Sequence, residues 1–153
     1  MRLRLIFAVL SACWAGAAPA AERSWSFDFG QGIGEYAIGS FIEGGSHLAL
    51  SCAEAGAAPG SASVSLARAG FVPKAATPAT FVTDKGKVAL TLDTQGSVNF
   101  PSSSAPEFRR LWHLLASGRT LRIDYGPGAP MSLPLKGAAK LLGKTVCPRQ
   151  LAR

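Results

Sequence analysis

The run His47-Leu48-Ala49-Leu50-Ser51-Cys52 is followed by a Gly- and Pro-bearing connection, AEAGAAPG over 53–60, and then by Ser61-Ala62-Ser63-Val64-Ser65-Leu66-Ala67. Both runs repeat with period two. Leu48, Leu50 and Cys52 share one face of the first; Ala62, Val64 and Leu66 share one face of the second. That alternation is the signature of strands buried on one side only. Further out in both directions the pattern continues. Trp25-Ser26-Phe27-Asp28-Phe29 predicts a strand with its three aromatics inward. Gly30, Gly32 and Gly34 then read as a loop, and 36–42 as a second strand in which Gly39 marks a bulge or a close approach. Glu43-Gly44-Gly45-Ser46 is a hairpin turn. On the C-terminal side, Pro73 and Pro78 bracket a loop. Strands are predicted over 80–83, 88–92, 96–100, 120–125 and 131–135, with a turn at Asp84-Lys85-Gly86-Lys87.

One helix stands out, and it comes late. Phe108, Leu111, Trp112 and Leu115 are spaced i, i+3, i+4, i+7, which makes one apolar face. Ser104-Ala105-Pro106-Glu107 reads as an S-x-x-E capping box ahead of it, and Gly118 as its end. A second, shorter helix is predicted over 136–146, with Lys136, Lys140 and Lys144 on one face at i, i+4, i+8. Helices that follow the strands, and do not alternate with them, argue against a parallel βαβ sheet. The expected fold is mainly β: a sandwich or flattened barrel of about 7–9 short antiparallel strands, with one amphipathic helix and a short C-terminal helix.

The chain has 153 residues, 48% of them hydrophobic and 16% charged, which suits one packed domain and excludes a disordered or coiled-coil chain. Residues 1–20 read as a signal peptide. Arg2 and Arg4 precede the apolar run that starts at Leu5, and Ala18-Pro19-Ala20 matches a small-x-small cleavage site. The expected product is a single domain, 21–153, in the periplasm or outside a bacterial cell. Leu10-Ser11-Ala12-Cys13 also resembles a lipobox, so a lipoprotein anchored through Cys13 is the minority expectation. Two cysteines remain in the mature chain, Cys52 and Cys147, and in an oxidising compartment they are expected to form one disulfide. A zinc site built from them with His47 and His113 lacks any close paired spacing, so no metal or other cofactor is expected.

Catalytic motifs are missing: there is no GxSxG, HExxH or P-loop. Gly30-Gln31-Gly32-Ile33-Gly34 gives G-x-G-x-G, one spacing short of a dinucleotide fingerprint, and no helix follows it. The nine carboxylates are scattered, and nothing selects a glycosidase-type pair such as Asp28 with Asp93. The expectation is therefore a non-enzymatic protein, with a small envelope hydrolase using a carboxylate pair as the alternative.

Charge is more informative. Residues 21–104 carry five Lys or Arg against seven acids, whereas 105–153 carry nine against two. A one-signed surface attracts anions over about a Debye length, ~8–10 Å in ordinary salt. Arg109, Arg110, Lys136, Lys140 and Lys144 are the candidate surface for an acidic envelope component or protein. No aromatic-interleaved basic motif supports nucleic acid as the partner.

The order of features also resembles a known group. A W-x-F-x-F strand (Trp25, Phe27, Phe29) is followed by a strand ending in Cys52. A helix then runs into Leu115, Gly118, Leu121 and Ile123, and Ser132-Leu133-Pro134-Leu135-Lys136-Gly137 precedes a short helix and Cys147. This looks like the small exported proteobacterial β proteins grouped around invasion-associated locus B. The type VI secretion-associated periplasmic proteins have a similar ending. The resemblance implies an envelope role without catalysis and supplies no catalytic residues.

Overall fold

Among the described residues, nine strands and two helices are arranged as the alternation requires. In the computed structural model, residues 24–39, 45–54 and 59–148 are described. The expected signal peptide, Cys13, Phe41, Ile42, Glu43, Gly44, Arg149 and Arg153 lie outside those residues. The elements are β1 (Ser26–Gly30), β2 (Ile33–Gly39), β3 (His47–Ala53), β4 (Ala62–Ala67), β5 (Thr77–Thr83), β6 (Gly86–Leu92), β7 (Ser97–Phe100), α1 (Pro106–Ser117), β8 (Thr120–Tyr125), β9 (Met131–Pro134) and α2 (Ala138–Leu142). Two antiparallel sheets form, ordered β1-β2-β3-β4-β7 and β6-β5-β8-β9. The fold is mainly β and sandwich-like, and neither sheet closes into a barrel.

Register aligns the apolar faces. In the first sheet Tyr36 pairs with Leu50, and Leu50 with Val64. In the second, Phe81 lies between Val88 and Ile123. Leu48, Leu50, Val64, Phe81 and Ile123 are fully buried in one continuous core. The alternate positions carry small or polar groups: Glu35 opposite Ser51, Ser51 opposite Ser63, Ser63 opposite Asn99.

Helix α1 bridges the two sheets. The Trp112 ring meets Tyr36 of the first sheet edge-on at 5.0 Å, and Phe108 lies 5.4 Å from Phe100. At its far end Gly118 abuts Thr83 and Leu135, on the side of the second sheet. Polar clasps join the sheets elsewhere. The Trp25 indole N–H donates to the Pro134 carbonyl at 3.1 Å. The Arg68 guanidinium donates to the carbonyls of Tyr125 and Ala129 at 2.6 and 2.8 Å. Cys52 and Cys147 form a disulfide that spans 95 residues and ties the segment after α2 to β3.

Four local expectations are corrected. First, Gly30 and Gly34 belong to strands. The chain reverses at Gln31 (φ 53°) and Gly32 (φ 78°), a two-residue hairpin loop of the kind that matches strand twist. β2 therefore starts at Ile33. Second, Pro78 lies inside β5. It sits opposite Thr91 of β6 but beyond the β8 pairing, which begins at Ala79. A missing N–H is tolerated where no strand pairs on that side. Third, the capping box does not form. Ala105 is the N-cap with no side-chain cap and Pro106 opens the helix, while the Ser104 hydroxyl instead contacts that of Ser102 at 2.8 Å. Fourth, α2 covers only Ala138–Leu142, because Gly137 (φ 90°) and Gly143 (φ 63°) take left-handed conformations at both ends. Lys136 and Lys144 fall outside it, so the three lysines share no helix face.

Candidate functional site

The described basic residues of the C-terminal third are exposed but do not form one patch. Their positions follow from the two helices. On α1 the apolar stripe turns Phe108, Leu111, Trp112 and Leu115 into the core, which leaves Arg109, Arg110 and His113 outside. Arg109 and His113 are one turn apart and lie side by side. Arg110 points along a different flank.

Arg109 and His113 meet a third segment. Together with Lys144, Val146, Ser103 and Ser104 they line a cleft of about 310 Å³. Three stretches of chain contribute: the loop before α1, α1 itself, and the segment after α2. Two of the walls are fixed. The Ser103 amide donates to the Gly60 carbonyl at 2.7 Å, and Lys144 is three residues from the disulfide-bonded Cys147. No carboxylate among the described residues lines the cleft. Among the described residues, Arg109, His113 and Lys144 make no ion pair; the two pairs present there are Lys85–Asp84 and Arg122–Asp124. The failed capping box matters here, since Ser104 and Glu107 are separated: Ser104 lines the basic cleft, and Glu107 lines another.

That other groove, of about 490 Å³, runs between α1 and β6 and is lined by Thr80, Lys87, Val88, Ala89, Pro106, Glu107 and Arg110. Here Glu107 offsets the two cations. A third cleft, of about 520 Å³, has the disulfide in its wall with Glu54, Pro59, Gly60 and Ser61, and shares Ser103 with the basic cleft. Of the five residues the sequence singled out for an anionic partner, the structure brings Arg109 and Lys144 together. Arg110 lies in the groove with Glu107, Lys136 precedes α2, and Lys140 is exposed on α2. Ser103 and Ser104 were not among the expected site residues. His113 is not among them either; its i+4 spacing from Arg109 is the sequence signal that links the two.

The remaining candidates are placed elsewhere. Asp28 is on β1, at one edge of the five-stranded sheet, and Asp93 is in the turn before β7, at the other edge. Four strand spacings separate those edges, about 19 Å. Asp93 is engaged in its turn, accepting from the amides of Gln95 and Ser97 at 2.8 and 2.9 Å. The Cys52 and Cys147 sulfurs are bonded to each other, and no group of three His, Cys, Asp or Glu converges among the described residues.

Two ionisable groups among the described residues are shifted from their ordinary values by their surroundings, and neither lines the cleft. The Asp84 carboxyl is held below the ordinary aspartate value, first by the Arg119 amide that donates to it at 2.7 Å. The Tyr125 phenol is pushed up, mainly by burial and further by the Asp93 charge.

Fold and site together define a two-sheet β domain whose bridging helix carries a basic cleft. The family model YfjT matches residues 23–142, most of the chain, and the protein belongs to that family. No curated protein and no solved structure matches it. Among the described residues, no helix is long and apolar enough to cross a membrane.

Proposed function

We propose that the protein is a non-enzymatic, exported envelope protein that binds an acidic partner through the basic surface of its helical end. The observation that carries this reading is the cleft that gathers Arg109 and Lys144 beside His113, with no carboxylate in its lining among the described residues. Cations held together without counterions raise the local potential and attract an anionic partner, an effect that salt weakens. Arg110 and Lys140 lie exposed elsewhere on the two packed helices and add to the positive charge of that end without joining the cleft. The signal-like residues 1–20 and the resemblance to the invasion-associated locus B proteins support an envelope setting.

The test is retention of envelope components on the purified protein across a salt series. Binding that falls steeply with ionic strength, and falls further in Arg109→Ala, is the expected result. Retention insensitive to salt overturns the reading. Intact mass of protein from its native envelope checks export: a chain beginning at Ala21 supports it, and a chain retaining Met1 contradicts it.

A further inference from the structure

We propose that the cleft between the loop at Ser103–Ser104, α1 and Lys144 is a binding site for a phosphate ester; this rests on the anionic-partner reading and names its chemistry. The donor set is the first argument. A carboxylate is planar and is satisfied by one guanidinium fork. A phosphoryl group presents three oxygens in different directions and needs donors from several sides. The cleft offers that: the Arg109 guanidinium and His113 imidazole from α1, the Lys144 ammonium from the facing segment, and the Ser103 and Ser104 hydroxyls from the loop.

Donor availability is the second argument. The Ser103 hydroxyl makes no hydrogen bond among the described residues, and the Ser104 hydroxyl contacts only that of Ser102. Each of Arg109, His113 and Lys144 is likewise without an ion pair there. Size is the third. About 310 Å³ is at the lower end of ligand sites, so it admits one headgroup and not a folded polymer. Preorganisation is the fourth, because the disulfide and the Ser103–Gly60 hydrogen bond hold opposite walls before anything binds.

The experiment is a titration of the full-length protein, followed by NMR, with inorganic phosphate, glycerol 3-phosphate and acetate at constant ionic strength. Phosphatidylglycerol vesicles are compared with phosphatidylcholine vesicles by co-sedimentation. Saturable shifts of the His113 ring signals with phosphate or glycerol 3-phosphate, and none with acetate, are expected. Arg109→Ala and Lys144→Ala should each weaken binding by about tenfold, and Ser103→Ala by less. Lys74→Ala removes the same charge from an exposed loop away from the cleft and should leave binding unchanged. Circular dichroism of each variant confirms that it is folded.

Tighter binding of glycerol 3-phosphate, with sedimentation on the anionic vesicles in the same variant order, identifies a lipid headgroup. Binding of inorganic phosphate without vesicle binding identifies a free phosphate. Acetate binding as well as phosphate, equal losses in Lys74→Ala and Arg109→Ala, or no saturable binding each overturns the inference. If envelope retention stays salt-sensitive while phosphate esters fail to bind, the phosphate assignment falls and the broader acidic-partner reading stands.

Discussion

Asp84 shows how a single exposed side chain can hold two connections together. It lies in the β5–β6 turn, and its Oδ1 accepts from the Arg119 amide between α1 and β8, while Lys85 Nζ is 3.9 Å from its other oxygen. These partners favour the carboxylate, so the folded-state value is lowered. The stabilisation is complete above the unfolded-state value, about 3.9. It is lost as pH falls through the lower folded-state value. Asp84→Asn should therefore be less stable at neutral pH and should lack that part of the acid loss, read from denaturant midpoints across the acid range. Superimposable acid limbs in the two proteins would contradict this. Tyr125 has the opposite sign. Its hydroxyl is buried without a partner among the described residues, and burial raises its value. Stability is complete below the unfolded-state value of about 10 and is lost as pH rises toward the higher folded-state value. Tyr125→Phe removes an unsatisfied polar atom and should be neutral to about 1 kcal/mol more stable at pH 7. It should also lose less stability in alkali. Thermal melts at neutral and alkaline pH measure both.

At the scale of elements, α1 connects the core to the candidate site. Trp112 is fully buried, 5.0 Å from Tyr36 and 6.0 Å from Phe108, while its neighbour His113 faces the cleft. Trp112→Ala should cost about 3–5 kcal/mol, and His113→Ala under about 0.5 kcal/mol, by equilibrium denaturation. A large loss in His113→Ala would mean that the cleft is structural. This helix, like the strands at 47–52, 61–67 and 88–92, was legible because one buried face imposes its period on the sequence. What escaped notice depends on backbone conformation or on contacts between distant segments. A non-glycine residue at positive φ, Gln31, concealed the first hairpin, and Pro78 concealed the start of β5 because the reach of β8 cannot be read locally. The serine-glutamate spacing at 104–107 suggested a cap, but Pro106 opens the helix with Ala105 as its N-cap. The lysine spacing at 136–144 suggested a continuous helix that Gly137 and Gly143 end. The cleft was half legible for the same reason. Arg109 and Lys144 were evident as charges, but their meeting with Ser103 and His113 depends on how three segments dock.

Across the whole molecule, one covalent bond links the sandwich to the cleft. Among the described residues after Leu142, 143–148, there is no helix or strand, yet Val146 packs against the core and Lys144 forms a cleft wall. The disulfide from Cys147 to the buried Cys52 of β3 fixes that segment. Cross-linking residues this far apart restricts the unfolded chain, and the loop-entropy model gives about 4–5 kcal/mol for such a loop. Cys52→Ser/Cys147→Ser should therefore unfold at lower denaturant, by about 2–5 kcal/mol. The loss should also have a local component, because without the bond the described part of the segment is held by the partial burial of Val146 and its neighbour at 147. Under conditions where the double variant is still folded, trypsin should cut after Lys144 sooner than in the oxidised protein, and phosphate-ester binding should weaken in parallel. Sites within the sheets should stay protected. Cleavage spread evenly over the chain would instead show that the bond supports only the global fold. Unchanged cleavage after Lys144 would show that packing alone seats the segment.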